Sequence, residues 1–212
     1  MSMAVPQPAP RYTIDEYLAK ERTSHERHIY LDGEMIAMAG EKLPHGYIST
    51  NVIGLLHPQL RGTPCGVLTK DTKVRSGRTP MSGKSMSGFF SYPDVLVVCG
   101  DPEFHDAYKD IILNPTTIVE VLSDSTEAFD RGVKFRRYRK WNPTLRDYLL
   151  ISQDMPAIDH FSRSAEGVWS IQSHEGLEGE IVISSIRCVL KIADVYDRVV
   201  FSEGPPGLEG SD

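Results

Sequence analysis

Two acidic residues of this chain stand in apolar runs where a charge is hard to accommodate. Glu120 interrupts the run TTIVEVL, and Asp94 immediately precedes the run VLVV. An unpaired buried carboxylate is costly or takes up a proton, and two ionised carboxylates on neighbouring strands repel each other. A divalent cation removes that repulsion, because Mg²⁺ prefers oxygen ligands and takes one or two carboxylates together with water and phosphate oxygens. The alternatives are a shared proton or a nearby Lys or Arg.

The segment after Glu120 offers such a cation. Asp130, Lys134 and Tyr138 are spaced four residues apart, so on a helix they share one stripe. If this helix folds back over the sheet edge that it leaves, Lys134 reaches the carboxylates and can hold a water close to a metal. The competing interpretation is that the acidic residues are solvated at strand ends and that Lys134 lies on an exposed helix surface.

Local patterns predict the helices that would hold these residues. Thr13 and Glu16 fit a capping box that opens a short helix through about residue 21. Apolar spacing indicates a second helix over residues 45–60. A third helix is predicted from Asp124, as its N-cap, to about residue 140.

Strand patterns fill most of the remaining chain. Asp32-Gly33 lies between two apolar-rich runs, which is typical of a hairpin turn. Residues 76–91 are rich in Gly, Ser, Thr and Pro and indicate a mobile loop. Further strands are predicted at residues 65–75, 94–99, 116–122, 145–152, 157–163 and 167–175, with a short closing helix at 192–199. The pattern predicts a mixed α+β or α/β fold with one domain over residues 12–200, a flexible arm at 1–11 and a disordered tail at 201–212.

Composition narrows the class of protein. The 212 residues carry a formal net charge of -6, which disfavours a protein that binds nucleic acid through overall charge but allows a local basic groove. No run approaches the ~20 apolar residues of a membrane span, so no membrane association is expected. The three cysteines lack C-x-x-C spacing and predict reduced, structural thiols in a cytoplasmic protein.

Basic residues concentrate in two segments that could contact phosphates. The run RGVKFRRYRK at residues 131–140 carries six cations, and five more fall between residues 70 and 84. Lys73, Arg75, Arg131 and Arg137 are the predicted nucleic-acid-binding residues. A solvated helix face is the alternative, because six cations in ten residues cannot all point into one groove.

The most specific block, EVLSDST followed by Asp130, Lys134 and Tyr138, resembles the Uma group of bacterial restriction-endonuclease-like proteins. The likeness extends through LDGEMIAMAG, HGYISTNVIGLL, CGVLTKDTKVR and YPDVLVVCG, and so spans roughly residues 12–200. This group belongs to the PD-(D/E)XK superfamily. The resemblance implies a mixed β-sheet core flanked by helices, with an added N-terminal helix and hairpin.

The resemblance also implies a Mg²⁺-dependent endonuclease acting on DNA, with Mn²⁺ as a substitute metal. Asp94 and Glu120 would be the acidic metal ligands, the backbone carbonyl of Val121 a third ligand, and Lys134 the catalytic lysine. The superfamily's usual lysine position, two residues after the acid, holds Leu122 in this chain. The Uma group instead places its lysine on the next helix, which matches Lys134.

Other matches and one departure concern the rim of the site. The group often has an acidic residue three places before Asp32, where this chain carries Ile29, and Glu34 could substitute for it. His45 and Asp71 match recurrent polar positions of the group. Glu34, His45 and Asp71 are therefore predicted to line the site, as are Asp130 and Tyr138, and the alternative for the first three is an ordinary capping or surface role. A homodimer is expected, since such nucleases pair to address two strands. The competing functions are a catalytically inactive nucleic-acid-binding or regulatory module and a hydrolase of RNA or small phosphodiesters.

Overall fold

The computed structural model describes residues 10–77 and 84–201. Its helices are α1 (Ile14–Glu21), α2 (Leu43–Leu60), α3 (Glu127–Phe129), α4 (Phe135–Trp141) and α5 (Ile192–Val195), and a π-helical segment, Asp130–Lys134, joins α3 to α4. Its strands are β1 (His28–Leu31), β2 (Glu34–Ala37), β3 (Cys65–Thr69), β4 (Lys73–Ser76), β5 (Phe89–Ser91), β6 (Val95–Cys99), β7 (Ile111–Ile112), β8 (Thr117–Leu122), β9 (Asp147–Ser152), β10 (Ala157–Arg163), β11 (Trp169–Glu175), β12 (Glu180–Ile183) and β13 (Cys188–Lys191). In the part of the chain that is described, no helix combines the length and the apolar character that crossing a bilayer requires.

The central sheet has six strands in the order β11-β10-β9-β8-β6-β3. Its β8–β9 pair is parallel and its other pairs are antiparallel, so the sheet is mixed. A five-stranded sheet in the order β2-β1-β5-β4-β7 and a two-stranded β12–β13 ribbon complete the strands that the structure describes. The predicted strands over β6, β8, β9, β10 and β11 are confirmed.

Alternation along β6 and β8 divides the core between the two faces of the central sheet. Val95, Val97, Val119 and Val121 pack with Ile48, Val52 and Leu56 of α2. Leu96, Ile118 and Leu122 pack with Phe135 and Tyr138 of α4. Since side chains alternate along a strand, Glu120 shares the α4 face with Ile118 and Leu122. The run TTIVEVL therefore directs its carboxylate toward the helix that carries Lys134.

The N-terminal helix and hairpin form as predicted. The Thr13 side chain and the Glu16 side chain make the reciprocal bonds of a capping box at the start of α1. Asp32 and Gly33 both have positive φ, 46° and 99°, which suits the tight turn between β1 and β2. Residues of α1 pack on Tyr30 and Phe90, which joins this addition to the five-stranded sheet.

Three sequence-based predictions of secondary structure are corrected. Residues 65–75 form two strands in different sheets, because the chain turns after Thr69. Part of the predicted loop at 76–91 is strand β5, in which Phe89 and Phe90 are fully buried, while residues 78–83 lie outside the described chain. Thr126 occupies the N-cap position of α3, whereas Asp124 is exposed and lies 3.7 Å from the Lys42 ammonium.

The prediction that all three cysteines are reduced is wrong for two of them. Cys65 of β3 stands directly opposite Cys99 of β6, and the two form a disulfide. Cys188 is a buried free thiol, as expected. The proposed arm at 1–11 and tail at 201–212 fall almost wholly outside the described residues.

Candidate metal centre

The two acidic residues meet across adjacent strands. Val95 pairs with Val119 and Leu96 with Ile118 in the antiparallel β6–β8 ladder. Continuing this register by one residue places Asp94 opposite Glu120, and alternation puts both on the α4 face. The sequence pattern indicated neighbouring strands, and the register places the two residues opposite each other, near enough for the Asp94 charge to raise the pKa of Glu120.

Pro93 and Asp94 end the pairing of β6 in a specific way. Proline cannot donate to a strand ladder, so it favours the first position before a strand. Where β6 stops, the Asp94 Oδ2 atom accepts a hydrogen bond from the backbone N–H of Val121 at 2.7 Å. The Asp94 carboxylate thus replaces a strand partner, which fixes its position beside β8.

Lys134 brings its ammonium into the same region. Its Nζ atom lies 2.7 Å from Glu120 Oε2 and 3.0 Å from Asp130 Oδ1. All three residues are buried, at 4%, 2% and 3% exposure respectively. The π-helical segment that contains Asp130 and Lys134 is a rare local form that is frequent at functional sites. The predicted stripe of Asp130, Lys134 and Tyr138 therefore faces Glu120.

Burial and charge act against each other in this cluster. Burial raises the pKa of Glu120 well above its usual value, and Asp130 and Asp94 add to this shift while Lys134 opposes it. Burial alone would lower the pKa of Lys134, but Glu120 and Asp130 raise it well above its ordinary value. Lys134 therefore stays protonated, whereas the surroundings of Glu120 favour uptake of a proton or binding of a second cation.

Tyr138 and Ser91 hold the second oxygen of Glu120. The Tyr138 hydroxyl donates to Glu120 Oε1 at 3.4 Å and shares a hydrogen bond of 2.8 Å with Ser91 Oγ. Burial raises the pKa of Tyr138 well above its usual value, and the Glu120 charge adds to this, so the hydroxyl stays neutral. Sequence reasoning missed Ser91, because it was assigned to the end of a loop.

His45 approaches Asp94 from the start of α2. Its Nε2 atom lies 3.3 Å from Asp94 Oδ2, and its Nδ1 atom lies 3.1 Å from Glu41 Oε2. Burial alone would lower the pKa of His45, but the Asp94 carboxylate, followed by Glu41, raises it above its ordinary value. Lys70 lies 2.5 Å from Glu41 and extends the chain of contacts to the surface. Glu41 was not predicted, although its i,i+4 spacing to His45 was a usable signal.

The charges of this region favour a cation. Glu120 and Asp130 contact the buried Lys134 ammonium, and the charge of Asp94 helps to raise the pKa values of both Glu120 and Lys134. Across residues 10–77 and 84–201, no three His, Cys, Asp or Glu side chains form a metal-binding group. The donor set nevertheless suits Mg²⁺, which takes one or two carboxylates and fills its remaining positions with water and phosphate oxygens.

Two of the predicted site-lining residues lie elsewhere. Glu34 is exposed and lies 3.6 Å from Arg11 in an ion pair, while the exposed Asp71 pairs with Arg27. Ile29 is partly buried against the core on the α4 side. Glu34 therefore does not replace the acidic residue that the Uma group often carries at the Ile29 position, because the hairpin register points it toward Arg11.

The predicted nucleic-acid-binding residues divide into two groups. Lys73 and Arg75 are buried in β4, at 4% and 5% exposure, which corrects the expectation that they face a phosphate. Lys73 lies 3.5 Å from Asp110, and Arg75 donates to His105 at 3.1 Å. They were placed beside a surface loop from the sequence, but β4 lies between two other strands of its sheet.

Arg131 and Arg137, the other two predicted nucleic-acid-binding residues, are partly exposed and already paired. Arg131 lies 2.7 Å from Glu127 and 2.5 Å from Asp159, and Arg137 pairs with Asp32. A phosphate would have to compete with these carboxylates. Their role in binding nucleic acid stays a prediction.

The raised pKa of Glu120 predicts a specific dependence of stability on pH. Above its ordinary pKa of 4.5, the folded protein retains a proton that the unfolded chain releases, so stability falls as pH rises. We expect the free energy of unfolding, measured with urea, to decline by up to about 1.4 kcal/mol per pH unit from this group. Glu120→Gln should remove that component, whereas Glu34→Gln, at an exposed carboxylate, should leave it. Equal pH slopes in the parent and Glu120→Gln would contradict the assignment.

Comparison with known proteins gives a consistent result. A family model described as "Uma2: Putative restriction endonuclease" matches residues 14–191. The chain is 34% identical over 194 residues to "Uncharacterized protein slr1290" of Synechocystis sp. (strain ATCC 27184 / PCC 6803 / Kazusa), covering 92% of this chain and 96% of that protein. It is 31% identical over 175 residues to "Uncharacterized protein sll1609" of the same organism, covering 82% and 94% of the two chains.

A solved structure shares the fold. The crystal structure of "a putative nuclease belonging to DUF820 from Anabaena variabilis ATCC 29413" matches with a TM-score of 0.70 at 13% sequence identity. The match covers 89% of this chain and 99% of that chain. The predicted fold class, a mixed sheet flanked by helices as in restriction-endonuclease-like proteins, is confirmed.

Proposed function

Because the chain belongs to the Uma2 family, we propose that it is a Mg²⁺-dependent endonuclease that hydrolyses phosphodiester bonds in DNA. The observation that carries this proposal is the juxtaposition of Asp94 and Glu120 across β6 and β8, with Lys134 2.7 Å from Glu120. The raised pKa of the buried Glu120 indicates that its ionised form is not fully compensated by Lys134. A divalent cation would compensate that charge and is the cofactor that metal-assisted phosphodiester hydrolysis needs.

Three groups of this chain would hold the cation. Asp94 and Glu120 supply carboxylate oxygens, and the carbonyl of Val121 supplies a backbone oxygen. The Val121 N–H faces Asp94, and the N–H and C=O of one strand residue point to the same side. When bound, the cation lowers the pKa of water and offsets negative charge that develops on the phosphate.

The side chains around these ligands would position charge and protons. Lys134 would orient the attacking water or stabilise negative charge on the phosphate oxygens, because its pKa is held high by its acidic neighbours. Asp130 would keep the ammonium in place when Glu120 turns toward a cation, since it contacts the same Nζ at 3.0 Å. His45 and the Val121 N–H would hold Asp94 in one orientation.

Metal dependence and substrate class are tested together. We expect covalently closed plasmid DNA to be nicked in Mg²⁺ or Mn²⁺, and EDTA to abolish nicking, because removal of the cation leaves the carboxylates without a counter-charge. Isothermal titration calorimetry should show Mg²⁺ or Mn²⁺ binding. Single-stranded RNA and a small aryl phosphodiester should be cleaved far more slowly than DNA. Cleavage that persists in EDTA would refute a metal-dependent mechanism. Faster cleavage of RNA or of the aryl ester than of DNA would show that RNA or a small phosphodiester is the preferred substrate.

A non-catalytic module that keeps the nuclease fold is the second candidate. The Lys134 ammonium already contacts Glu120 Oε2, so the buried carboxylate is partly neutralised without a metal. Ile29 also stands where the Uma group often has an acid. Absence of both calorimetric metal binding and cleavage, with DNA binding retained, is the result that would favour this module.

A further inference from the structure

A cluster of cations lies on the exposed surface of α4 and on the neighbouring end of β10. Arg136, Arg139, Lys140 and Arg163 line one open cavity of about 370 Å³, together with Gly167 and Trp169. Arg136, Arg139 and Lys140 are exposed and follow i, i+3, i+4 spacing, so they share one helix face. Arg163 ends β10 and approaches this face from the sheet. We call these four residues the basic patch.

The members of the basic patch lack acidic partners, whereas several other arginines of this acidic protein have them. Arg131, Arg137 and Arg22 each pair with an aspartate or a glutamate. No ion pair within residues 10–77 and 84–201 involves a member of the basic patch. Four cations without counter-charges repel one another, and an anion relieves that repulsion.

Arg163 is held by the backbone at the edge of the same cavity. Its Nη1 donates to the carbonyl of Pro143 at 3.1 Å, which holds the side chain in place. Its Nε is buried and has no hydrogen-bond partner among the residues that the structure describes. The Pro143 hydrogen bond therefore fixes the guanidinium beside the three helix cations.

The geometry points to the basic patch as a binding site for phosphate groups of a nucleic-acid backbone, away from the cleavage centre. This inference rests on the proposed nuclease function for its choice of ligand. An extended polyanion fits better than a compact anion, because the three helix cations form a stripe across an open surface. A net charge of -6 repels DNA at a distance, so binding needs a local set of unpaired cations.

The basic patch and the candidate metal centre share one helical segment. Along the helix axis the patch begins about 3 Å beyond Lys134 at Arg136 and ends about 9 Å beyond it at Lys140. Its helix cations are exposed, whereas Lys134 is buried. One DNA strand carries a charge about every 3.4 Å along its axis. The patch would therefore extend over about two phosphate spacings on a different side of the helix from Lys134, and its cations would anchor the substrate without taking part in hydrolysis.

The test measures how binding depends on salt. Fluorescence anisotropy with a labelled 20-base-pair duplex in EDTA gives the dissociation constant over a range of KCl concentrations. We expect the triple variant R136Q/R139Q/K140Q to reduce the slope of log affinity against log salt by about 2 to 3 units, since each phosphate contact contributes about 0.9. The matched control R61Q/R187Q/K191Q removes three exposed cations elsewhere and should keep the parent slope. R136K/R139K retains the charge and should also keep it.

The outcomes separate this inference from the proposed function. Circular dichroism checks that the triple variant folds. If the folded variant binds DNA with the parent salt slope, the basic patch is not a site for the DNA backbone. A loss of affinity for inorganic phosphate would not change that conclusion. If the parent cleaves DNA but the triple variant keeps the parent salt slope, the basic patch is refuted and the proposed nuclease function is unaffected. If the parent never cleaves DNA in Mg²⁺ or Mn²⁺ but the triple variant shows the shallower slope, the patch stands and the nuclease assignment fails.

Discussion

Asp94→Asn should reduce DNA cleavage by about 10³-fold or more, because losing one anionic metal ligand removes several kcal/mol of transition-state stabilisation. Asparagine is nearly the same size and keeps a carbonyl oxygen that can accept from the Val121 N–H, as Asp94 does at 2.7 Å. The β6–β8 junction should therefore survive. Calorimetry should show a large loss of Mg²⁺ affinity in the same variant.

The control for this prediction is Asp154→Asn. Asp154 is an exposed carboxylate outside strands β9 and β10, so its removal changes the net charge equally without touching the candidate centre. Cleavage by this control should match the parent within about twofold, since surface substitutions rarely shift free energies by more than ~0.5 kcal/mol. Parent-like cleavage by Asp94→Asn would exclude Asp94 as a metal ligand.

Lys134→Met should destabilise the fold by about 3–5 kcal/mol, because it leaves two buried carboxylates without their cation. Methionine fills a similar volume, so the loss would reflect charge more than packing. Glu120 and Asp130, at 2.7 Å and 3.0 Å from the Lys134 ammonium, are the groups left uncompensated. Urea unfolding followed by tryptophan fluorescence measures this loss, and DNA cleavage should fall as well.

Two further variants make this prediction specific. Lys20→Met removes an exposed cation of α1 and should change stability by no more than ~0.5 kcal/mol. Adding Glu120→Gln to Lys134→Met should recover part of the lost stability, because one of the stranded charges is then neutral. Mg²⁺ should stabilise Lys134→Met more than the parent if the carboxylates bind the ion. No recovery in the double variant would show that Glu120 and Lys134 are not energetically coupled.

The sequence by itself determined the features that depend on neighbouring residues. The Thr13 capping box, the Asp32-Gly33 turn and the shared stripe of Lys134 and Tyr138 are all short-range, so their geometry follows from local backbone form. Alternation in TTIVEVL likewise placed Glu120 on the face of Ile118 and Leu122. The family resemblance indicated which of these residues form one site. The fold that the resemblance implies was confirmed.

Only the tertiary structure decided which distant residues meet. The β6–β8 register, the approach of His45 to Asp94 and the Cys65–Cys99 pairing each depend on how separate segments share one core. The burial of Lys73 in β4 has the same origin, because a strand's place within a sheet is set by burial over the whole chain. A basic residue gives the same sequence pattern in an edge strand and in an interior strand. The sequence could therefore not show that Lys73 is buried. For that reason the proposal of a phosphate-binding surface depends on the tertiary structure.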